Sequence, residues 1–182
     1  MEVLEYLHVL YHIGGSVASS AYGSARSTAD VDVVADLRAT HVDELVRRLE
    51  ADYYLNREAI LEAISLKRSF NLIHLATMVK VDIFVPERSP FDEQEMRRAE
   101  PHRLDMSEGA RTFLLKSPED LVLRKLLWYR QGGETSERQW SDVLGVLKVQ
   151  ASRLNGPYLA QWAADLEIDD LLERALAAAN ET

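Results

Sequence analysis

Three aspartates stand among apolar residues in the first half of the sequence: Asp30 and Asp32 in the run DVDVV, and Asp82 in the run KVDIF. Side chains of a β-strand alternate between its two faces, so Asp30 and Asp32 would point the same way from one strand. Two carboxylates so close repel each other unless a cation lies between them, and oxygen ligands of this kind suit Mg²⁺. Burying Asp82 without a partner would be costly, and a metal site shared with the other two acids would account for an acid between apolar residues. The three residues therefore predict a divalent metal site.

A phosphate-binding turn is predicted upstream of these acids. Residues 7–13 have the apolar pattern of a strand, Gly14 and Gly15 end it, and the small residues after them predict a short helix capped by Ser16. Glycines allow a ligand to approach the backbone closely, and a helix N-terminus offers free N–H groups to an anion. The Ser16 hydroxyl could add a hydrogen bond, and Arg26 could bind an oxygen of a triphosphate. Gly14, Gly15, Ser16 and Arg26 are therefore the predicted nucleotide-binding residues of this half.

Neither feature is specific by itself. A Gly-Gly pair is usually a structural turn, and an Asp-x-Asp run is usually a solvated strand end. The order of the two features, with a third acid on a later apolar strand, favours a catalytic site that binds phosphate and metal.

The remaining elements follow from hydrophobic periodicity. The pattern of residues 41–51 predicts an amphipathic helix, and the runs SFNLIHL and KVDIFV predict two strands joined by a turn. Ser117-Pro118 followed by two acids is a strong helix start. Further helices are predicted over 57–66, about 91–99, 118–131, 136–151, 156–165 and 168–179. The expected fold class is α/β, with a small mixed β-sheet core over 1–86, a connector over 87–116 and a C-terminal helical bundle over 117–182.

Composition excludes several classes of protein. The chain has 182 residues and a formal net charge of −9, which argues against a general nucleic-acid coat because phosphate neutralisation needs a basic surface. It has no cysteine, so disulfides and thiolate metal sites are excluded. Its apolar runs are shorter than the ~18 residues of a membrane span, and its N-terminus lacks the basic region of a signal peptide. A cytoplasmic protein with no membrane partner is expected.

The stretch HIGGSVASSAYGSARSTADVDVV, with KVDIFV about fifty residues later, resembles the nucleotidyltransferase superfamily that shares its fold with DNA polymerase β. The resemblance implies that residues 14–16 form the phosphate turn and that Asp30 and Asp32 bind two Mg²⁺ ions, with Mn²⁺ as an alternative. It implies that Asp82 is the third acid, which could also accept a proton. The implied reaction transfers a nucleoside monophosphate from an NTP such as ATP to an acceptor hydroxyl, with release of pyrophosphate.

A narrower resemblance concerns the helical half. The runs SPEDLVLRKLLWYR and SERQWSDVLGVL resemble C-terminal motifs of the abortive-infection nucleotidyltransferase toxins. It implies that Lys125 and Asp142 complete the nucleotide site. Two alternatives stay open: Lys125 could be a lysine whose stem packs on the core while its ammonium reaches solvent, and Asp142 could be a surface acid.

The acceptor is open between two enzyme hypotheses. Resemblance to the toxins implies a toxin–antitoxin system, with a tRNA 3′ end as acceptor and an antitoxin protein as partner. A small-molecule acceptor, as in the aminoglycoside nucleotidyltransferases, fits the acidic net charge because aminoglycosides are polycations. A non-catalytic nucleotide-binding relative is a third hypothesis, and the intact set Asp30, Asp32 and Asp82 argues against it.

Overall fold

A computed structural model describes residues 1–23, 28, 30–103 and 110–181 of the chain. These residues divide into two compact units: Met1–Val17 with Ser27–Leu115, and Ala18–Arg26 with Lys116–Thr182. Helix α2 (Gly15–Tyr22) begins in the first unit, and its last residues belong to the second.

The first unit is built on a mixed sheet of seven strands among the described residues, in the order β3-β4-β5-β2-β1-β7-β6. Strand β2 pairs in parallel with β5, and β1 pairs in parallel with β7, while the other neighbours are antiparallel. The strands are β1 (Tyr11–Ile13), β2 (Asp30–Ala35), β3 (Tyr53–Tyr54), β4 (Ser69–His74), β5 (Lys80–Phe84), β6 (Glu100–Arg103) and β7 (Thr112–Leu115). The unit also contains α1 (Glu2–Tyr6), α3 (Val42–Leu49), α4 (Arg57–Leu66), α5 (Pro90–Arg97) and the 3₁₀ turn Ala39–His41.

One face of this sheet carries the apolar core. Alternate residues of β1, β2, β4 and β5 point to it and are almost fully buried: Ile13, Val33, Ala35, Phe70, Leu72 and Ile83. Leu45 of α3 and Ile60 of α4 are buried as well, and α4 packs against β4. Because strand side chains alternate, the residues between these core positions belong to the opposite face, which is where the predicted acids lie.

The second unit consists of helices α6 (Pro118–Gln131), α7 (Glu137–Gln150), α8 (Gly156–Asp165) and α9 (Asp169–Asn180) in its described part. Ser117 Oγ caps α6 by accepting a hydrogen bond from Asp120 N at 3.2 Å, and Pro118 occupies the first helical position. The Asp120 carboxylate is fully buried and accepts hydrogen bonds from Ser117 Oγ, at 2.7 Å, and from the hydroxyl of Tyr158. This network joins the start of α6 to α8.

Most of the predicted elements are confirmed. The helices predicted over 57–66, 118–131 and 156–165 coincide with α4, α6 and α8. Residues 87–116, predicted as a connector, supply α5 and also strands β6 and β7 of the same sheet. Among the described residues, no helix combines the length and the apolar character needed to cross a bilayer.

Two local predictions were wrong. Residues 7–13 are not one strand, because His8 adopts a left-handed conformation with φ 53° and Val9 N–H bonds Leu4 O at 2.9 Å. Extended backbone therefore starts only at Tyr11, after the short helix α1. Ser16 is not the cap of α2, since that helix already begins at Gly15.

Candidate active site

The three predicted acids lie on one face of the sheet. In the parallel pair β2–β5, Asp32 is directly opposite Asp82, and Asp30 is directly opposite Lys80. Residues opposite each other in a ladder project to the same side, as do residues two apart on one strand. The pairing therefore gathers three carboxylates and one ammonium into a two-by-two group, which we call the acid cluster: Asp30, Asp32, Lys80 and Asp82.

Lys80 is the member of the acid cluster that the sequence analysis missed. Its Nζ lies 2.9 Å from Asp82 Oδ2 and 3.9 Å from Asp30 Oδ2. The hydrogen bond to Asp82 and the negative charges of Asp82, Asp30 and Asp32 raise the pKa of the Lys80 ammonium, against a smaller opposing effect of desolvation. The signal was present in the run KVDIF, because alternation places Lys80 on the same face as Asp82.

The Gly-Gly turn packs directly against the acid cluster. Gly14 N–H donates a hydrogen bond to the carbonyl oxygen of Asp32 at 2.9 Å. Gly15 has φ +52°, and a Cβ built on it would lie 1.6 Å from Asp32 Oδ2. Both the backbone conformation and the space therefore require glycine at this position. The Asp32 carboxylate thus lies against the first residue of α2.

A hydroxyl pair ties the start of α2 to the start of β2. Ser16 Oγ and Thr28 Oγ1 are 2.8 Å apart, and Thr28 Oγ1 donates to Asp30 O at 3.1 Å. Ser16 is only 3% exposed, and its hydroxyl already has a hydrogen-bond partner in Thr28. Thr28 was missed by the sequence analysis, since a single threonine in a polar segment gives no signal. The predicted triphosphate ligand Arg26 lies outside the described residues.

The acid cluster fits a hard divalent cation in its donor chemistry. It offers carboxylate oxygens from two adjacent strands, and Asp82 and Asp30 already have a cation, the Lys80 ammonium, beside them. In the part of the chain that the structure describes, no three His, Asp or Glu side chains are gathered closely enough to form a preassembled metal site. The carboxylates would therefore have to reorient around an incoming ion.

The second pair of predicted site residues is brought together in the helical unit. Lys125 Nζ donates to Asp142 Oδ2 at 2.8 Å and to Gln139 Oε1 at 3.1 Å. The side chains of Lys125 and Asp142 are only 5% and 9% exposed. The two alternatives, an ammonium in solvent and a surface acid, are therefore wrong. A buried ion pair of this kind gains little net stability from its attraction, because both charges were removed from water.

A cavity of about 440 Å³ in the first unit lies apart from the acid cluster. Leu45, Phe70, Leu72 and Ile83 line it, and the last three belong to the apolar face of the sheet. It therefore opens on the side opposite the carboxylates, and it is not the site that they form.

Comparisons with known proteins identify the fold. No protein-family model and no curated protein sequence matches this chain. The structure is similar to that of an antigenic nucleotidyltransferase-like protein from Paracoccidioides brasiliensis, with a TM-score of 0.55 and 18% identity over 97% of this chain and 88% of that one. It is also similar to the antibiotic-resistance factor ANT(2'')-Ia, with a TM-score of 0.52 and 14% identity over 99% of this chain and 90% of that one. The protein therefore shares its mixed α/β fold with these two proteins, and the fold class predicted from the sequence is confirmed.

Proposed function

We propose that the protein is a nucleotidyltransferase, which transfers a nucleoside monophosphate from an NTP to an acceptor hydroxyl. The hydroxyl oxygen would form a bond to the α-phosphorus, the bond from that phosphorus to the bridging oxygen would break, and pyrophosphate would leave. The observation that carries the proposal is the direct pairing of Asp32 with Asp82 beside the Gly14-Gly15 turn. This reaction needs phosphate-binding backbone and carboxylates at one place, and the contacts between the glycine turn and the acids support that assignment.

Each part of the site has a role in this proposal. Asp30, Asp32 and Asp82 would hold two Mg²⁺ ions, or Mn²⁺, which would neutralise the triphosphate and lower the pKa of the attacking hydroxyl. The first turn of α2, which begins at Gly15, would offer backbone N–H groups to the β- and γ-phosphates. Asp82 is the acid that could accept the proton of the hydroxyl.

We propose that Lys125 binds a phosphate oxygen and that Asp142 holds its ammonium in position. The 2.8 Å contact supports the second part, because a long lysine side chain loses less freedom on binding when it is already fixed.

The acceptor divides the proposal into two candidates. A polycationic small molecule is favoured by the net charge of −9 and by the fold shared with an antibiotic-resistance factor. A tRNA 3′ end, in a toxin–antitoxin system with an antitoxin partner, is the second candidate and rests on the motif around Lys125. A basic surface for RNA would be required in that case.

Label transfer tests the proposal and separates these candidates. The protein would be incubated with each α-³²P-labelled NTP and Mg²⁺ or Mn²⁺, with total tRNA in one set and a panel of aminoglycosides in the other. We expect labelled product in one set with wild type and none with Asp82→Asn. Nucleotide binding without product in either set would instead support the non-catalytic relative.

A further inference from the structure

The acid cluster contains its own cation. Lys80 lies two residues before Asp82 on β5 and opposite Asp30 on β2, and its ammonium contacts Asp82 at 2.9 Å. Its side chain is 40% exposed, so it has not been driven into this position by burial. Three carboxylates against one ammonium leave the cluster with an excess of two negative charges, which a divalent cation would match.

We propose that Lys80 is a positioning residue that competes with the divalent metal for Asp82 and Asp30. In the metal-free protein the ammonium holds these two carboxylates on adjacent strands. A metal ion that binds Asp82 must either displace the Lys80 ammonium from the Asp82 oxygen or bind with that ammonium close by. Lys80 therefore weakens metal binding to the free protein. The inference rests on the proposed function in taking the acid cluster as the metal site and a nucleoside triphosphate as its ligand.

Nucleotide binding would relieve this competition. A triphosphate brings several negative charges, and a displaced lysine on a flexible four-carbon stem can contact one of its oxygens. Metal and nucleotide would then bind better together than either binds alone. The acid cluster would then bind metal mainly together with the nucleoside triphosphate.

The experiment measures Mn²⁺ and Mg²⁺ affinity calorimetrically in the absence of nucleotide. The variants are Lys80→Met, which removes the charge, Lys80→Gln as a second neutral variant, and Lys80→Arg, which keeps it. We expect the neutral variants to bind the metal at least about fivefold more tightly than wild type. Two unit charges ~4 Å apart in water interact by about that factor, and the double charge of the ion makes it a lower bound. Lys80→Arg should bind like wild type. Lys148→Met, an exposed lysine on α7, is the matched control for net charge and should also bind like wild type.

Two results would overturn the inference: neutral variants that bind metal no more tightly than wild type, or an equal gain in Lys148→Met. The label-transfer assay reports separately on the proposed function. If Lys80→Met binds metal more tightly and wild type transfers no label, the role of Lys80 is supported and the proposed reaction is rejected. If wild type transfers label and Lys80→Met shows no gain in metal affinity, the reaction is supported and the role of Lys80 is rejected.

Discussion

Asp32 and Asp82 are direct neighbours on the parallel strands β2 and β5, although fifty positions separate them in the sequence. Two carboxylates at this spacing repel each other, so the pairing lowers the stability of the protein unless a cation is present. Lys80 supplies part of that charge through its contact with Asp82. The remaining excess is the physical reason to expect that the acids serve a ligand and not the fold.

Neutralising the Asp pair should separate stability from activity. We expect Asp30→Asn with Asp32→Asn to keep or raise the thermal midpoint of the metal-free protein, because one ammonium and one carboxylate then remain in the acid cluster. Label transfer should fall by at least ~10³-fold, the order expected when charge stabilisation by bound metal is lost. Scanning calorimetry without metal and the transfer assay measure the two effects.

A control with the same charge change is available on α4. Glu58 and Glu62 are exposed there, so Glu58→Gln with Glu62→Gln should leave label transfer unchanged. Full activity in the double Asp variant would contradict the proposed mechanism. A lower midpoint in that variant would instead show that the acids support the fold.

Gly15 should be intolerant of any side chain. Gly15→Ala must adopt φ +52° and also displace the Asp32 carboxylate, since the new Cβ would lie 1.6 Å from Oδ2. Gly133→Ala is the matched control, because Gly133 has φ +70° with nothing within 4 Å of its Cβ position. The left-handed conformation alone should cost about 1–2 kcal/mol at Gly133, and the clash with Asp32 should add about 1–3 kcal/mol at Gly15. Urea unfolding of both variants tests the difference, and equal losses would contradict the close packing of Asp32 on the turn.

Much of the fold could be predicted because its signals are local. The capping serine and first-position proline of α6 and the apolar periodicity of α4 are patterns of neighbouring residues, and both helices were predicted at their true bounds. The acids Asp30 and Asp32 were placed on one face by strand alternation alone. Their registration with Asp82 could be expected from the family resemblance, but not from any spacing in the sequence.

What could not be predicted depends on long-range pairing or on a single backbone angle. Strands β6 and β7 join the sheet because they pair with each other and β7 pairs with β1. No local sequence pattern encodes these two pairings. The start of β1 was misplaced because one residue, His8, takes a left-handed conformation. The resemblance implied that Lys125 and Asp142 complete one site, whereas their ion pair and their burial depend on the packing of α6 on α7.

Lys125 should be needed for both the fold and the nucleotide, and a double variant can separate the two. Lys125→Met removes the ammonium from the buried Asp142 carboxylate, and breaking a buried pair in this way costs about 3–5 kcal/mol. Lys125→Met with Asp142→Leu removes both charges and should recover most of that stability, since apolar side chains of similar size can replace a buried ion pair. We expect this double variant to be folded and to bind ATP at least about tenfold more weakly than wild type in the presence of Mg²⁺, the loss expected for one charge-assisted hydrogen bond to phosphate. Urea unfolding and an ATP titration measure the two effects, and a stable double variant with wild-type ATP affinity would assign the pair to the fold alone.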